Sequence, residues 1–243
     1  MNKININTVI IAFAVVFFAF IGKSAYKYKF KDAQTISVTG LSEKDFDSDL
    51  IVWTGSYSKT GTDLKSVYAA LKNDENTIRQ YLVRKGIQTK DIIFTAIDIN
   101  KDFDTHTDEN NRSYSVFSGY TLKQTVKVES QDVDKVEVVS REVTELIEND
   151  ISFTSAAPSY YYSKLAELKI DLLSKASADA KNRAKSIAEN AGAEIGDLRS
   201  ASMGIFQITG KNSNEDYSYG GTFNTSSRRK TASITIRSEY LVR

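Results

Sequence analysis

Thirteen consecutive apolar residues near the start of the chain, 9–21, restrict what this segment can form. They read VIIAFAVVFFAFI. A helix built from them is apolar on every side, whereas a helix on the surface of a soluble domain has one polar face. Extended to 4–22, the segment spans about 28 Å as a helix, which matches the hydrocarbon thickness of a bilayer. We therefore expect 1–22 to be an N-terminal membrane anchor or signal segment.

Two alternatives to an uncleaved anchor stay open. A cleaved signal peptide has an apolar region of about 7–15 residues and small residues before its cleavage site. Here only Gly22-Lys23-Ser24 offers such a site, and it fits weakly. A buried helix of a soluble domain is the other alternative.

The lysines that follow the apolar run predict one orientation across a membrane. A Lys-rich linker, 23–34, follows the apolar run, whereas only Lys3 and the terminal amine precede it. The positive-inside rule then places the rest of the chain in the cytoplasm. The four lysines concerned are Lys23, Lys27, Lys29 and Lys31.

The composition excludes several classes of protein. The 32 basic and 31 acidic residues balance, so a strongly basic nucleic-acid binder is not expected, and we predict no nucleic-acid partner. The chain has no Cys and one His, which excludes disulfides, thiol catalysis, iron–sulfur clusters and Cys-based zinc sites. With 243 residues, the chain is long enough for one large domain or two small ones.

Alternating strands and three helices predict an α+β fold. Residues 35–58 predict two strands with a turn at 42–45, and helices are expected over 64–85 and 132–148. The polar stretch 101–113 predicts the tip of a hairpin. The last strand, 231–242, alternates residues that we expect to face the core: Ala232, Ile234, Ile236, Ser238 and Tyr240.

The third helix, 160–191, is predicted to be long and rich in Ala. Small residues at spacings of three and four let a helix lie close to a sheet; they are Ala176, Ala180, Ala184, Ala188 and Ala191. Gly86 and Gly192 are expected to end helices, and an Asp follows each after the same interval. This weak repetition suggests two related subdomains within 35–243. We predict largely antiparallel sheets packed against the three helices.

Candidate catalytic and metal-binding residues are few. The acidic residues around His106 fail the EF-hand pattern, since Thr107 and Ser113 stand where Gly and Glu are required. His106 has no orienting partner in the sequence, and no phosphate-binding or nucleophile motif occurs. We expect no metal, no cofactor and no enzymatic activity. Residues 160–162, three tyrosines, are expected to begin the third helix, although an aromatic contact patch is the alternative.

The loop 210–229 is the best candidate for an interaction site. Loops of this length are uncommon in compact domains and are often functional or disordered. Aromatic side chains among Gly, Ser and Asn suit an adaptable contact surface, and Arg228 to Lys230 offer a basic patch for anionic lipid. The predicted contact residues are Tyr217, Tyr219, Phe223, Arg228 and Arg229.

Several segments together resemble the SIMPL-domain family. The most specific is DAKNRAKSIAENAGAEIGDL at 179–198, an Ala-rich helix followed by Gly and Gly-Asp. The others, in the family's order, are ISVTG at 36–40, Ser48-Asp49, Lys85-Gly86-Ile87, Asp91-Ile92, Thr95, Ser118-Gly119-Tyr120, Asp132-Val133-Asp134-Lys135 and Ile151-Ser152-Phe153. The resemblance covers about 35–242. It departs where the family often has Pro-Asp, at Ser48-Asp49, and where it often has Pro-x-Tyr, at 100–104.

The resemblance implies an α+β fold, a bacterial envelope location and self-association, without established catalytic residues. It favours export to the periplasm over the cytoplasmic side that the lysines indicate. We expect a non-enzymatic, membrane-anchored protein that acts as a homo-oligomer or binds a partner protein. One alternative is an accessory protein of envelope stress defence that binds a small ligand or a metal. The other is an intracellular signalling adaptor, as in the family's animal relatives.

Overall fold

The computed structural model describes residues 16–19, 21, 23 and 34–243. The predicted anchor, 1–22, and the linker, 23–34, lie mostly outside these residues. Across the part of the chain that the structure describes, no helix has both the length and the apolar character that a membrane crossing requires.

Three α-helices and ten β-strands form the described part of the chain from residue 34 onward, which confirms the predicted α+β class. The helices are α1 (Leu64–Arg84), α2 (Val133–Glu142) and α3 (Leu165–Asn190). The strands are β1 (Thr35–Asp47), β2 (Leu50–Gly61), β3 (Ile92–Phe94), β4 (Asp98–Thr107), β5 (Ser113–Ser130), β6 (Phe153–Ser155), β7 (Ser159–Tyr161), β8 (Ile195–Met203), β9 (Gln207–Gly210) and β10 (Arg229–Val242).

The strands form two sheets. One has the order β1-β10-β8, with β9 also pairing with β10. The other has the order β3-β5-β2-β6, with β4 pairing with β5 and β7 with β2. The strand pairs resolved in register are antiparallel, as the sequence predicts.

The described residues divide into two compact units. The first unit combines the described residues up to Gly40 with Ser177–Met203 and Ile236–Arg243. Its core contains Ala180 and Ala184, which pack against Val38 and Tyr240. The predicted Ala stripe is confirmed at four positions, since Ala176, Ala180, Ala184 and Ala188 are buried, whereas Ala191 is exposed.

The second unit consists of Leu41–Ala176 and Gly204–Thr235. Its core lies between the second sheet and the apolar faces of α1 and α2, and Trp53, Leu71 and Leu122 are fully buried there. Asp63 begins α1 by accepting a hydrogen bond from Ser66 N. Gly86 follows the helix with φ of 90°, as predicted, because residues other than Gly rarely adopt that conformation.

Several predicted boundaries are wrong. β1 continues to Asp47, so the turn falls at Ser48-Asp49 rather than at 42–45. The three tyrosines do not begin α3, because 159–161 form β7 and pair with β2. The second helix ends at Glu142, and a 3-10 helix, Val143–Asn149, follows it.

Candidate functional site

The predicted interaction loop lies between β9 and β10 and is anchored to β9. The buried amide of Gln207 donates from Nε2 to Ser218 O at 2.9 Å and accepts from Thr222 N at 2.7 Å. Ile208 N donates to Thr222 O at 2.7 Å, and Ile208 O accepts from Asn224 N at 2.9 Å. The loop therefore adds a short parallel pairing to β9, centred on Ile208 and Phe223. These contacts favour the ordered alternative over the disordered one.

A buried lysine holds the second half of the loop. Lys230 is 2% exposed, and its Nζ donates to the backbone O of Asn224 at 2.6 Å and to Oδ1 at 3.2 Å. Asn224 donates to Glu215, whose Oε2 accepts from Gly210 N at 2.9 Å. Burial lowers the pKa of Lys230 to about 8, although the charge of Glu215 opposes this shift. Lys230 is therefore unavailable to the lipid surface that the sequence suggests.

The aromatic residues of the loop are exposed, and two of them border a groove. Tyr219 is 99% exposed, and Tyr217 and Phe223 are more than half exposed. Tyr217 accepts a weak hydrogen bond from Ser233 Oγ at 3.3 Å. The loop groove has a volume of about 440 Å³ and no charged lining residue. It is lined by Leu41, Ile205, Gln207, Tyr217, Ser218, Tyr219, Ser233, Ile234 and Thr235.

The two predicted arginines at the end of the loop are both paired with carboxylates. Arg228 donates to Asp134 Oδ1 at 2.6 Å and to Glu137 Oε2 at 3.2 Å. The hydrogen bond to Asp134 raises the pKa of Arg228, although burial opposes the rise. Arg229 lies 3.3 Å from Asp47 Oδ1. These contacts join Arg228 to α2. The nearby carboxylates largely offset the positive charges of Arg228 and Arg229.

A second exposed surface is a hairpin that we call the β4–β5 arm, formed by β4 and 113–117 of β5. The predicted tip at 101–113 is mostly strand, since only 108–112 form the turn, where Asp108 accepts from Asn110 N and Arg112 N. Every arm strand residue except Asp102 is exposed. Phe103 and Phe117 nonetheless touch edge to face, with ring centroids 5.9 Å apart.

His106 and the acidic residues of 101–113, the predicted hairpin tip, lie along the β4–β5 arm. The exposed imidazole of His106 stacks on Tyr114 at 5.7 Å between ring centroids. Within the described residues, no three His, Asp or Glu side chains are placed so that they could hold a metal ion. The geometry of the arm offers an exposed apolar and acidic surface instead.

A buried polar network on α1 escaped the sequence analysis. Asp74 and Glu75 are buried, and burial raises the pKa of Asp74 despite its ion pair with Lys59 at 3.2 Å. Burial alone would raise the pKa of Glu75, but hydrogen bonds from Lys72 and Arg79 outweigh this effect and lower the pKa below its usual value. Beside them, Tyr57 donates to Gln124 Oε1 at 2.6 Å.

The positions of these polar residues in the sequence indicate that they are buried. Asp74 and Glu75 fall on the face of α1 that carries Leu71 and Ile78 at spacings of three and four. Lys230 has the same parity as the inward residues of β10, and Gln124 has that of Leu122 and Val126 on β5. Helical spacing in α1 and alternation in β5 and β10 thus indicate buried positions, whereas the partners of these residues depend on the tertiary fold.

Comparison with known proteins identifies the family of this chain. No curated protein matches the chain. The family model SIMPL, described as a protein of unknown function (DUF541), matches residues 36–239, which is most of the chain and nearly all of its described part. The chain therefore belongs to the SIMPL family.

Proposed function

We propose that the protein is a non-enzymatic SIMPL-domain protein of the bacterial cell envelope, anchored to a membrane by its N-terminal segment and acting through self-association. The same surface could instead bind a different protein, and the proposal includes that case. The observation that carries it is the β4–β5 arm, where large apolar side chains remain exposed on a projecting hairpin: Ile99, Phe103, Tyr114, Val116 and Phe117. Clustered exposed apolar residues mark interaction surfaces in soluble domains.

The hairpin geometry supports this proposal. Two strands alone are marginally stable in water, and the arm extends beyond Gly61↔Tyr120, the last residue pair that joins β5 to β2. Packing of the arm against another molecule would remove its apolar side chains from water. The anchoring and the envelope location are supported by the apolar run 9–21 and by the family resemblance.

Sedimentation of the full chain in detergent tests self-association. We expect an oligomer, and we expect the double variant Ile99→Ser, Phe103→Ser to shift it towards the monomer. Ile170→Ser is the matched control, since Ile170 is also exposed but lies on α3. A strict monomer at micromolar concentration would contradict self-association, and equal dissociation by the control would contradict the role of the β4–β5 arm.

Protease accessibility tests the location. The exposed turn 108–112 should be cleaved in spheroplasts, in which the periplasmic face of the inner membrane is open, while a cytoplasmic marker stays intact. Cleavage that requires lysis of the inner membrane would place the domain in the cytoplasm. That result would favour the signalling adaptor and would agree with the lysine count.

A second candidate function is the binding of a small uncharged ligand in the loop groove. Its volume is in the range of small-molecule sites, and Tyr217, Ile205 and Ile234 give it an apolar lining. The neutral fluorophore N-phenyl-1-naphthylamine is a suitable probe. We expect its fluorescence to rise with the native chain and to fall for Tyr217→Ala, with Tyr68→Ala, exposed on α1, as control. An equal response from both variants would argue against the groove.

A further inference from the structure

The β4–β5 arm carries two chemically different faces. Side chains alternate along β4, and the register Ile99↔Leu122 places its odd-numbered residues on the core side of the sheet. Ile99, Lys101 and Phe103 therefore share one face, which is apolar apart from Lys101. It continues from Phe117 to Tyr120, whose ring centroids lie 5.1 Å apart. The opposite face of β4 carries three carboxylates, and Val116 and Tyr114 of β5 lie on that face beside them. The carboxylates are Asp98, Asp102 and Asp104.

Among the described strands, none covers the outer edge of β4. β4 pairs with β5, and no other described strand pairs with it. Lys123 lies opposite Asp98 in the register, yet among the described residues no cation forms an ion pair with Asp98, Asp102 or Asp104. An unpaired strand edge with one apolar face and one acidic face is a template for an added strand of complementary pattern.

A second β4 strand does not fit this edge. Two identical strands related by a two-fold axis place residues of the same parity opposite one another. When the axis passes through any residue from 100 to 104, where the two copies overlap most, one carboxylate faces another. Asp98 then faces Asp102 or Asp104, Asp102 faces Asp104, or one of the last two faces its own copy. Like charges directly opposite destabilise a strand pair, so the occupant must differ from β4.

The required pattern is present in the sequence at 26–31, YKYKFK. Aromatic residues alternate with lysines there, so an extended strand has an aromatic face and a basic face. We propose that residues 26–31 of a second copy of this chain add to the open edge of β4. The aromatic side chains then meet Ile99 and Phe103, and the lysines meet Asp98, Asp102 and Asp104.

This inference rests on the proposed self-association and specifies its contact. Residues 26–31 lie outside the described residues, so the support for their pairing with β4 comes from their sequence alone. The pairing also gives the lysines of the linker a role other than that of orienting the chain in a membrane. Because exposed ion pairs are screened, the association should weaken as salt rises.

Disulfide trapping tests the pairing on a chain that has no native Cys. A tagged copy carries Tyr28→Cys, and an untagged copy carries a cysteine on β4. We expect interchain disulfides with Lys101→Cys or Phe103→Cys, on the apolar face, and not with Asn100→Cys or Asp104→Cys. Replacing the tagged cysteine by Lys29→Cys should reverse the preference. The β4 positions are exposed, and circular dichroism checks that each variant folds.

The outcomes separate this inference from the proposed function. Disulfides whose yield alternates along β4 and reverses with the tagged cysteine support the pairing. Equal yields at all positions, or no disulfide in a chain that sediments as an oligomer, would overturn the pairing and leave self-association intact. A chain that sediments as a monomer would overturn both.

Discussion

Lys230 lies beneath the interaction loop with its Nζ 2.6 Å from the backbone O of Asn224. The ammonium is almost fully buried, and this burial lowers its pKa to about 8. In the unfolded chain the pKa of Lys is about 10.4. A single side chain thus orders the loop through its hydrogen bonds while its charge is disfavoured by its surroundings.

The first prediction concerns the pH dependence of stability. Between the folded and unfolded pKa values of Lys230, the unfolded state binds more protons, so this group makes stability rise with pH. Relative to Lys230→Met, the free energy of unfolding of the native chain should increase by about 1.5 kcal/mol between pH 8 and 9.5. Urea denaturation at each pH measures the difference.

An exposed lysine provides the control for this measurement. Lys211 forms an ion pair with Asp45 at 2.7 Å while both side chains remain substantially exposed. The difference between the native chain and Lys211→Met should stay nearly constant over the same pH range. If Lys230→Met behaves in the same way, the amine of Lys230 is not held in its low-pKa state.

The second prediction concerns the anchoring of the loop by Gln207. Replacement by Leu removes the amide that bonds to Ser218 and Thr222. We expect faster hydrogen exchange at the amides of 215–224, measured by mass spectrometry of peptic fragments. Gln88→Leu is the matched control, because Gln88 is exposed and makes no capping hydrogen bond. Unchanged exchange in Gln207→Leu would mean that the backbone pairing with Ile208 is sufficient.

The third prediction concerns Gly119, within the Ser118-Gly119-Tyr120 segment that resembles the family. Gly119 has φ of 157° at a bulge between β4 and β5, and a Cβ there would lie 2.7 Å from Gly61 O. Gly119→Ala should therefore destabilise the chain by about 1–3 kcal/mol in urea denaturation. Gly220→Ala is the control, since its Cβ would meet nothing closer than 3.9 Å. Equal stability of the two variants would contradict the predicted clash.

Elements with an apolar period could be predicted from the sequence. The five residues predicted to face inward on β10, from Ala232 to Tyr240, are all buried. Asp63 and Gly86 mark the ends of α1 because caps are local interactions. Tyr217 and Tyr219, which the sequence offers as contact residues because their loop is polar, are exposed in the structure.

Features that depend on distant partners could not be predicted. β4 is exposed and most of its residues are polar, so the sequence predicts a hairpin tip at 101–113, and this segment is a strand because β5 supplies the hydrogen bonds. β7 is a strand for the same reason, since β2 pairs with two of the three tyrosines expected to be helical, Tyr160 and Tyr161. The hydrogen bonds of Gln207 could not be predicted either, because the sequence does not show which loop atoms reach its amide.

The last prediction concerns the close approach of α3 to the sheet of the first unit. Ala184 is fully buried in a cluster with Ala180, Val38 and Tyr240. Leu at position 184 has to displace these neighbours, and overpacking of this kind costs about 1–3 kcal/mol. We therefore expect Ala184→Leu to lower the midpoint of thermal unfolding.

Ala178→Leu separates packing from helix propensity. Ala178 lies in the middle of the same helix and is exposed, and Leu is nearly as good a helix former as Ala. This variant should unfold within a degree or two of the native chain, whereas Ala184→Leu should unfold several degrees lower. If both variants shift equally, the small side chain at 184 is not what lets the helix lie close to the sheet. A double variant, Ala184→Leu with Tyr240→Val, should recover part of the loss, because the smaller residue opens space in the same cluster.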